Sequence, residues 1–251
     1  MRVTVLGSGT STGVPEIGCT CEVCTSKDKK DNRLRASVVV QTDNSNILID
    51  CGPDFRTQML NTGIVSLTGL LVTHTHYDHI GGMDDLRPFC RHGAFSVYGE
   101  RRVCETLMDK YSYMFQDHKY PGVPNIDLIT IHRTPFEINN DIIIPIRLFH
   151  YKLPVLGYRI KNFAYLTDFS FINDEELDKL RELDCLIIDA LRKKQHMSHL
   201  SLDEALQLIK KINPKRAYLT HMSHQMGLHE TVSNELPENV FLCYDGMTIN
   251  V

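Results

Sequence analysis

Three histidines and one aspartate lie within the six residues His-Thr-His-Tyr-Asp-His at positions 74–79. Imidazole nitrogens and carboxylate oxygens are ligands of zinc, manganese and iron. In an extended chain, side chains two residues apart project to the same side, so His74 and His76 can hold one ion. Two glycines follow the stretch and allow a tight bend, so Asp78 and His79 can face a second ion. The stretch therefore predicts a metal site rather than a polar surface turn.

One segment cannot supply all the ligands of two ions, and three further candidates follow apolar runs that predict strands. Taken singly, such a residue is more often a loop residue or a hydrogen-bonded structural group. All three, however, directly follow an apolar run, which is Ile142–Phe149, Phe163–Thr167 or Ala217–Thr220, and active-site residues of sheet proteins are often found at such strand ends. We expect these three to join the cluster: His150, Asp168 and His221.

Three of the eight cysteines, Cys19, Cys21 and Cys24, form a C-x-C-x-x-C pattern. The pattern predicts a thiolate metal site, although spacing alone does not name a fourth ligand. A disulfide between Cys19 and Cys21 would need strained geometry. No signal-peptide pattern follows Met1, so we expect reduced thiols and a cytoplasmic protein.

The elements that must position these residues are two groups of strands, each followed by helices. The predicted strands are Val3–Leu6, Ala36–Gln41, Asn46–Asp50, Gly69–Thr73, Asp127–His132, Asp141–Leu148, Gly157–Ile160, Phe163–Thr167, Cys185–Asp189, Ala217–Thr220 and Val240–Cys243. The predicted helices are Met83–Arg91, Glu100–Tyr111 and two that begin at capping-box patterns, Asn173 with Glu176 and Ser201 with Glu204. This order predicts an α+β fold, a four-layer αββα sandwich with the sheets inside. Neither a repeat nor a linker interrupts it, so we expect a single domain over residues 1–251.

The composition and charge of the chain argue against some classes of partner. The chain has 42% hydrophobic and 23% charged residues and a formal net charge of −4. This composition is typical of a globular protein, and the acidic net charge argues against a dedicated nucleic-acid partner. No apolar run approaches the roughly 20 residues that span a bilayer, so no membrane partner is expected. Four basic residues are candidates for contacting a phosphate: Arg33, Arg35, Arg56 and Arg87.

The order His-x-His-x-Asp-His, then a distant histidine, an aspartate after a strand and a final histidine, resembles the metallo-β-lactamase superfamily. The resemblance covers essentially the whole chain and implies the αββα fold. Asp50 matches the aspartate that supports the ligands in that superfamily. The ligand sets that the resemblance implies are His74, His76 and His150 on one ion, Asp78, His79 and His221 on the other, and Asp168 bridging both.

Within that superfamily the chain is most similar to the cyclic-phosphate phosphodiesterases of the bacterial carbon–phosphorus lyase pathway. The similarity rests on the segments Gly18–Cys24 and Thr220–Gln225. It implies a homodimer and a structural zinc ion, because such relatives hold one with three cysteines and a late histidine. The matching positions are Cys19, Cys21, Cys24 and His224.

The resemblance also implies a mechanism, in which two divalent ions, zinc or manganese, share a hydroxide that attacks a small phosphodiester substrate. Asp78 is predicted to be catalytic as well as a ligand. His199 is predicted to protonate the leaving group, since imidazolium suits that role near neutral pH. We prefer His199 to His196 because it lies 22 residues before His221, the interval found in the similar phosphodiesterases. The predicted activity is hydrolysis of small or cyclic phosphodiesters.

Three alternatives stay open at this point. A tRNA 3′-processing endoribonuclease shares the histidine motif, but it carries a basic arm that has no counterpart in this sequence. A thioester or lactone hydrolase of the same fold would lack the cysteine pattern. A non-catalytic scaffold is disfavoured because structural zinc sites are closed and mononuclear. The stretch Gly52–Arg56 departs from the pattern of the carbon–phosphorus lyase enzymes, so their substrate is not transferred to this chain.

Overall fold

Valines in the first half of the chain alternate between two buried faces. In strand β2 (Ser37–Gln41), Val38 and Val40 point to one face and Val39 to the other, and all three are 0% exposed. A strand buried on both faces must lie between two other layers. The structure, a computed structural model, describes residues 1–116, 118 and 120–251, and it places this strand inside such a sandwich.

Two sheets form the inner layers, with strands numbered in chain order. The first sheet contains β1 (Arg2–Gly7), β2, β3 (Asn46–Ile49), β4 (Gly69–Leu71), β5 (Phe95–Glu100), β6 (Ile126–Ile131) and β15 (Thr248–Asn250), in the order β15-β1-β2-β3-β4-β5-β6. The second contains β7 (Phe136–Ile138), β8 (Asp141–His150), β9 (Leu153–Ile160), β10 (Phe163–Leu166), β11 (Phe171–Ile172), β12 (Cys185–Asp189), β13 (Arg216–Thr220) and β14 (Val240–Leu242). Its order is β11-β8-β9-β10-β12-β13-β14, with β7 paired to β8.

Parallel pairing brings strand ends together. In the first sheet β3, β4, β5 and β6 pair in parallel, and in the second β10, β12, β13 and β14 do the same. The carboxyl ends of parallel neighbours meet at one edge of their sheet. The loops that follow β3, β4, β10, β12 and β13 therefore leave from two such edges, and these loops carry the predicted ligands of the centre except His150, which ends β8.

Two clusters of buried apolar side chains hold the four layers together. One apolar cluster joins the inner faces of the two sheets, with Val40 and Ile146 among its members, and it continues through the second sheet to Ile209 on a helix. A second cluster joins Val39 on the outer face of the first sheet to Leu107 on another helix. The α+β, four-layer αββα fold is thus confirmed. Single-domain organisation over residues 1–251 stays a prediction.

The helices in the described part of the chain are short. They are α1 (Phe55–Thr62), α2 (Tyr77–Ile80), α3 (Arg101–Lys110), α4 (Asp174–Leu177), α5 (Leu202–Ile212) and α6 (His229–Glu235), with 3₁₀ turns at Lys29–Asp31, Met83–Cys90, Ser112–Met114, Asp178–Leu180 and His224–Met226. None of the helices in the ranges described has the length and apolarity needed to cross a membrane.

One of the two predicted capping boxes forms. The Ser201 hydroxyl accepts a hydrogen bond from the Glu204 N–H, and the Glu204 carboxylate accepts one from the Ser201 N–H at 2.8 Å. The prediction at Asn173 was wrong: its side chain caps nothing, and α4 is a single turn. The Glu176 carboxylate instead accepts a hydrogen bond from the backbone N–H of Arg147, at 2.9 Å. The α-helix predicted over Met83–Arg91 is a 3₁₀ segment that contains a proline.

His229 at the start of α6 predicts a pH dependence of stability. Burial, together with the cations Arg33 and Lys30, lowers the pKa of His229 to about 4. Because the folded pKa lies below the unfolded value, the folded state binds fewer protons, and its stability falls as pH drops from about 6.5 towards 4. The variant His229→Gln lacks this titrating group. The free energy of unfolding of the wild type minus that of the variant should therefore fall by roughly 1–2 kcal/mol between about pH 7.5 and pH 5. Urea unfolding of both proteins at several pH values measures the difference. A difference that stays constant with pH would contradict the assignment.

Candidate metal centre

Two features of the loop after β4 position its ligands: hydrogen bonds that fix the backbone before His74, and the one-turn helix α2. Asp50 accepts hydrogen bonds from the backbone N–H of Thr73 at 2.9 Å and from its hydroxyl at 2.8 Å, which fixes the chain just before His74. Helix α2 then turns Asp78 and His79 inward. Asp78 is 6% exposed and His79 is 0% exposed. The last two residues of the motif are therefore buried, whereas His76 and Tyr77 stay exposed.

Asp50 also orients His79. Its Oδ2 lies 2.6 Å from His79 Nδ1, so the ring donates that proton to the carboxylate. This contact leaves His79 Nε2 free to face the cluster as a ligand atom. A carboxylate behind a metal-binding histidine fixes the ring and raises its basicity. Asp50 therefore acts on the cluster through His79.

Close backbone approach explains one of the glycines beside this loop. A Cβ added at Gly82 would lie closer to the carbonyl oxygen of Gly52 than real Cβ atoms approach. Any other residue would push these two segments apart. The glycines thus let the strand-end loops of β3 and β4 pack directly against each other.

The second sheet contributes Asp168 and His221. Asp168 Oδ1 lies 2.6 Å from His221 Nε2, and Asp168 Oδ2 lies 3.3 Å from His79 Nε2 and 3.4 Å from His74 Nε2. Both Asp168 and His221 have positive φ, 53° and 59°. Non-glycine residues in this left-handed region cost roughly 1–2 kcal/mol each, a strain often found at functional sites. The sharp turn aims each side chain back across the sheet edge.

His76 and His150 complete the set on the open side. Their ring centroids are 5.1 Å apart, and the His74 ring lies 4.5 Å from His76 and 5.8 Å from His150. The placement of His150 and Asp168 differs slightly from the prediction. His150 is the last residue of β8, and Asp168 lies two residues beyond β10. The structure nevertheless brings all seven predicted residues of this centre together.

The predicted ligands form two overlapping groups of ligand atoms, and a third group joins Asp168 and His221 to Asp189 and His199. Asp78, His79, Asp168 and His221 have ligand atoms within 4.8 Å of one another, and so do His74, His76 and Asp168. Asp168 belongs to both groups. Two ligands of one ion, each at about 2.0–2.2 Å from it, lie within about 4 Å of each other. The geometry therefore fits two neighbouring ions that share Asp168.

Unpartnered buried atoms support this fit. Several nitrogens and oxygens in the cluster have no hydrogen-bond partner with good geometry although they are buried, which is rare in proteins. Metal ions bound at the two groups would satisfy these atoms, since each atom can donate a lone pair. These atoms include His74 Nε2, His79 Nε2, His221 Nε2, Asp78 Oδ2 and Asp168 Oδ1.

Charge in the cluster is arranged to hold cations. Burial lowers the pKa of His79 and His221, but neighbouring carboxylates outweigh it and raise the pKa of His221 to about 10 and that of His79 well above its ordinary value. Burial lowers the pKa of His74 to about 3. The carboxylates thus attract positive charge into the site, as protons or as metal ions, which compete for the same nitrogens.

His199 lies against the cluster, on the loop between β12 and α5. Its ring stacks on that of His221 with centroids 5.0 Å apart, and its Nδ1 lies 3.5 Å from Asp189 Oδ2. His196 lies further out, with its ring 5.2 Å from that of His199. His199 is 9% exposed. The structure therefore places His199, rather than His196, beside the ligands.

The sequence analysis missed Asp189. It is the last residue of β12 and is 0% exposed. Its carboxylate contacts His199 Nδ1, His221 Nδ1 at 3.6 Å, and the backbone N–H of Leu200 at 3.1 Å. The signal that could have found it is its position as the last residue of the predicted strand Cys185–Asp189.

A separate cluster gathers the three cysteines. The Sγ atoms of Cys19, Cys21 and Cys24 lie 3.2, 3.4 and 3.5 Å from Nδ1 of His224. The far side of the His224 ring faces a carboxylate, with its Nε2 3.4 Å from Glu16 Oε2. A hydrogen bond from the Cys24 N–H is the main cause that lowers the pKa of Cys21 to about 6. These four residues fit one tetrahedral zinc ion, and no disulfide joins any of the eight cysteines, all of which are described.

The basic residues suggested for phosphate contact have other partners or positions. Arg33 is 2% exposed and donates to the carbonyl of Cys243 at 2.9 Å. Arg35 pairs with Asp54 at 3.1 Å, and Arg87 pairs with Asp84 at 2.5 Å. Arg56 lies on the exposed side of α1, beside Arg87 in a surface groove. Phosphate contact by these four residues stays a prediction, and the burial of Arg33 argues against it at that position.

Comparisons with known proteins agree with this geometry. The family model described as "Beta-lactamase superfamily domain" matches residues 45–222. A crystal structure titled as a new diphosphatase from the PhnP family is 40% identical and superimposes with a TM-score of 0.92, covering 99% of this chain and 97% of that one. Zinc-bound PqqB from Methylobacterium extorquens superimposes with a TM-score of 0.81 over the full length of both chains, at 17% identity, which shows the fold alone.

A curated relative from Porphyromonas gingivalis, named octanoyltransferase, is 43% identical over 250 residues. The match covers 98% of this chain and 51% of that protein, so the chain spans about half the length of this relative. The remaining half has no counterpart in the 251 residues. With the family model and the near-complete match to the diphosphatase, the chain belongs to the metallo-β-lactamase superfamily and, within it, to the PhnP family.

Proposed function

We propose that this chain is a metal-dependent hydrolase of small or cyclic phosphodiesters. The observation that carries the proposal is the pair of ligand groups that share the buried Asp168, with His199 beside them. Such a pair suits phosphoryl transfer, in which both the attacking and the leaving oxygen need charge stabilisation. The membership of the PhnP family supports the same class of reaction.

The proposal includes three metal ions: two zinc or manganese ions at the centre and one structural zinc at the thiolate cluster. When bound, the two catalytic ions would lower the pKa of a water molecule and offset the charge of the phosphate. The donor sets match these metals. Nitrogen and carboxylate ligands accept zinc or manganese, whereas three thiols with one imidazole favour zinc.

The chain's own residues then position the reactants. Asp50 holds His79 in the tautomer that presents Nε2. Asp78 is the residue that we propose acts both as a ligand and in catalysis, because its unpartnered Oδ2 is 3.1 Å from His79 Nε2 and 3.5 Å from His221 Nε2. From there it can also accept a proton from an attacking water.

His199 is the proposed proton donor to the leaving alkoxide. Its Nδ1 faces two carboxylates, at 3.5 Å from Asp189 and 4.0 Å from Asp168. These two carboxylates hold the ring beside the cluster. A donor with this arrangement can deliver its proton and recover another from solvent. Asp189 positions the ring and does not touch the substrate.

A diphosphate is a second candidate substrate. The PhnP-family relative with 40% identity carries the word diphosphatase in its title. Diphosphate bonds are anhydrides of phosphoric acid, so their hydrolysis needs the same attacking water and a better leaving group. His199 would then contribute less, since a phosphate leaves without help from an acid.

Each alternative activity can be tested with its own substrate. The name octanoyltransferase describes a protein twice as long, so acyl transfer is not assigned to this chain. We propose testing it directly with an octanoyl thioester of a small thiol. A lactone and a tRNA precursor with a 3′ trailer represent the other two activities.

The experiment that tests the proposal compares these substrates under one set of conditions. Bis(p-nitrophenyl) phosphate, a cyclic nucleotide and a dinucleoside diphosphate should be hydrolysed with kcat/KM well above that for the thioester, the lactone and the monoester p-nitrophenyl phosphate. The enzyme should be loaded with zinc and, separately, with manganese. A thioester or lactone hydrolysed with far higher kcat/KM than every phosphate substrate would refute the proposed class.

The thiolate cluster predicts a stability effect. A structural zinc contributes folding free energy directly, so Cys21→Ser should lower Tm and remove one zinc per chain. Turnover per folded molecule should stay near that of wild type, because Cys21 lies outside the catalytic centre. Cys90→Ser, at a half-buried cysteine outside the cluster, is the matched control. Loss of catalysis without a change in Tm would reverse this division of roles.

Two further parts of the proposal concern context. We propose that the protein works in the cytoplasm, because three half-buried thiols must stay reduced to bind zinc. We also propose a homodimer, which sedimentation measurements would test.

A further inference from the structure

The third group of ligand atoms, which joins Asp168 and His221 to Asp189 and His199, holds no ion of its own in the mechanism above. One ligand atom of each residue lies within 4.8 Å of the others. Asp189 ends β12, and His199 lies on the loop that follows this strand. Neither Asp189 nor His199 is a ligand of the two proposed catalytic ions. Both are therefore available to hold a further ion.

The distances in this group suit zinc better than a hydrogen bond. His199 Nδ1 lies 3.5 Å from Asp189 Oδ2 and 4.0 Å from Asp168 Oδ1. Hydrogen bonds between nitrogen and oxygen are normally about 2.7–3.2 Å long. Zinc holds its ligands at about 2.0–2.2 Å, so two of them at a tetrahedral angle lie roughly 3.4 Å apart. The contact with Asp189 already has this separation, and a small rotation of the His199 ring brings Nδ1 closer to Asp168.

Buried atoms without partners point to the same role. Within the described ranges, His199 Nδ1, Asp189 Oδ1 and Asp168 Oδ1 have no hydrogen-bond partner. Asp189 is 0% exposed, and the side chain of His199 is 10% exposed. Buried polar atoms in this condition are rare and usually have a functional reason. The catalytic pair of ions accounts for Asp168 Oδ1 but leaves the atoms of Asp189 and His199 unexplained.

Charge sets the order in which such a site fills. Asp78, Asp168 and Asp189 carry three negative charges, and the two proposed ions carry four positive charges. A further divalent ion meets repulsion from these two, so it binds more weakly than they do. Zinc binds nitrogen and oxygen ligands more tightly than manganese does. The site is therefore filled by zinc, at concentrations above those that fill the catalytic pair and the thiolate cluster.

We propose that Asp189 and His199, together with Asp168, form an inhibitory zinc site. The inference rests on the proposed function, because the ion occupies the histidine that protonates the leaving oxygen. Metal ions bind imidazole through a lone pair of the neutral ring, so His199 cannot be an imidazolium while zinc is bound. Excess zinc therefore inhibits hydrolysis of diesters whose leaving group needs an acid, and it spares diesters whose leaving group does not.

Zinc binding and turnover, measured together, test the inference. Protein loaded with three zinc ions per chain is dialysed against buffered zinc at rising free concentration, and the bound ions are counted. We expect a fourth ion, and kcat for adenosine 2′,3′-cyclic phosphate should fall at least about tenfold as it binds. Hydrolysis of bis(p-nitrophenyl) phosphate should change less than about twofold, because p-nitrophenolate leaves without protonation. Manganese in the same concentration range, added to manganese-loaded protein, should inhibit neither reaction.

Two histidine variants locate the fourth ion by a count that does not depend on activity. His199→Gln should keep three zinc ions and a Tm near that of the wild type but bind no fourth ion, since a carboxamide is a poor zinc ligand. His199→Ala is a second substitution with the same expected count. His196→Ala is the matched control, because His196 lies outside the group, and it should still bind the fourth ion.

Three results would overturn the inference: no fourth ion in the wild type, a fourth ion that persists in both variants of His199, or equal inhibition of the two substrates. Loss of the fourth ion in His196→Ala would place it elsewhere and overturn the inference as well. If wild type with three zinc ions hydrolyses neither substrate, the proposed function fails. The ion counts in the variants then decide the zinc site by themselves.

Discussion

Asp168→Ala should release both ions of the catalytic centre and lower kcat by at least about 10³-fold, because the ions supply several kcal/mol of transition-state stabilisation. Asp168 belongs to both ligand groups and is 2% exposed. Its removal leaves His79 and His221 without the carboxylate that holds positive charge between them. The structural zinc should stay, since its ligands lie in a different cluster. Elemental analysis and steady-state kinetics of the purified variant measure both effects.

Asp178→Ala is the matched control, because Asp178 is an exposed carboxylate paired with Arg181 at the surface. That variant should keep its metal content and its turnover. Retention of both catalytic ions in Asp168→Ala, confirmed after dialysis against chelator, would contradict the role given to Asp168. So would release of the structural ion alone.

His199→Ala should lower kcat by ~10²–10⁴ while metal content stays unchanged, the range expected when a general acid is removed. The loss should shrink for bis(p-nitrophenyl) phosphate, because p-nitrophenolate leaves without protonation. This dependence on the leaving group separates a lost proton donor from a damaged fold. Parallel assays with an alkyl leaving group and with p-nitrophenolate measure it.

His196→Ala and Asp189→Asn complete that test. His196 has only Ser198 as a hydrogen-bond partner among the described residues, so its loss should matter far less. Asp189→Asn should reproduce part of the His199→Ala effect and also weaken metal binding by about 10- to 100-fold, because Asp189 supports His221 as well. Equal losses for His196→Ala and His199→Ala, or a loss that follows missing metal, would remove His199 from the mechanism.

Much of this arrangement could be predicted from the sequence because the ligands follow strands. Apolar runs such as Phe163–Thr167 predict buried strands, and a charged or imidazole residue directly after such a run has few structural reasons to be there. Strand ends of parallel neighbours meet at one sheet edge, so Asp168 and His221 could be expected near each other. Their approach to His79, on the other sheet, followed only from the resemblance. The resemblance to the superfamily then assigned each to an ion.

Other features of the fold and the site depend on contacts between segments that are distant in the chain, and local sequence patterns do not reveal these contacts. Helix α1 has no side-chain cap and buries only Phe55, Gln58 and Met59, so its pattern was too weak to predict. Glu176 matched a capping box but was recruited by the backbone of Arg147, from a strand about 30 residues earlier. The partners of two basic residues could not be predicted for the same reason: Arg33 donates to the carbonyl of Cys243, and Arg35 pairs with Asp54.

The central claim, that two ions at one centre hydrolyse phosphodiesters, is tested most directly by returning metal ions in steps to chelator-treated protein. Hydrolysis of bis(p-nitrophenyl) phosphate is measured at each step together with the ions bound per chain. The account predicts that activity rises only after the thiolate cluster has been filled and levels off near about three ions per chain. Full activity with a single bound ion, or in the metal-free protein, would contradict it.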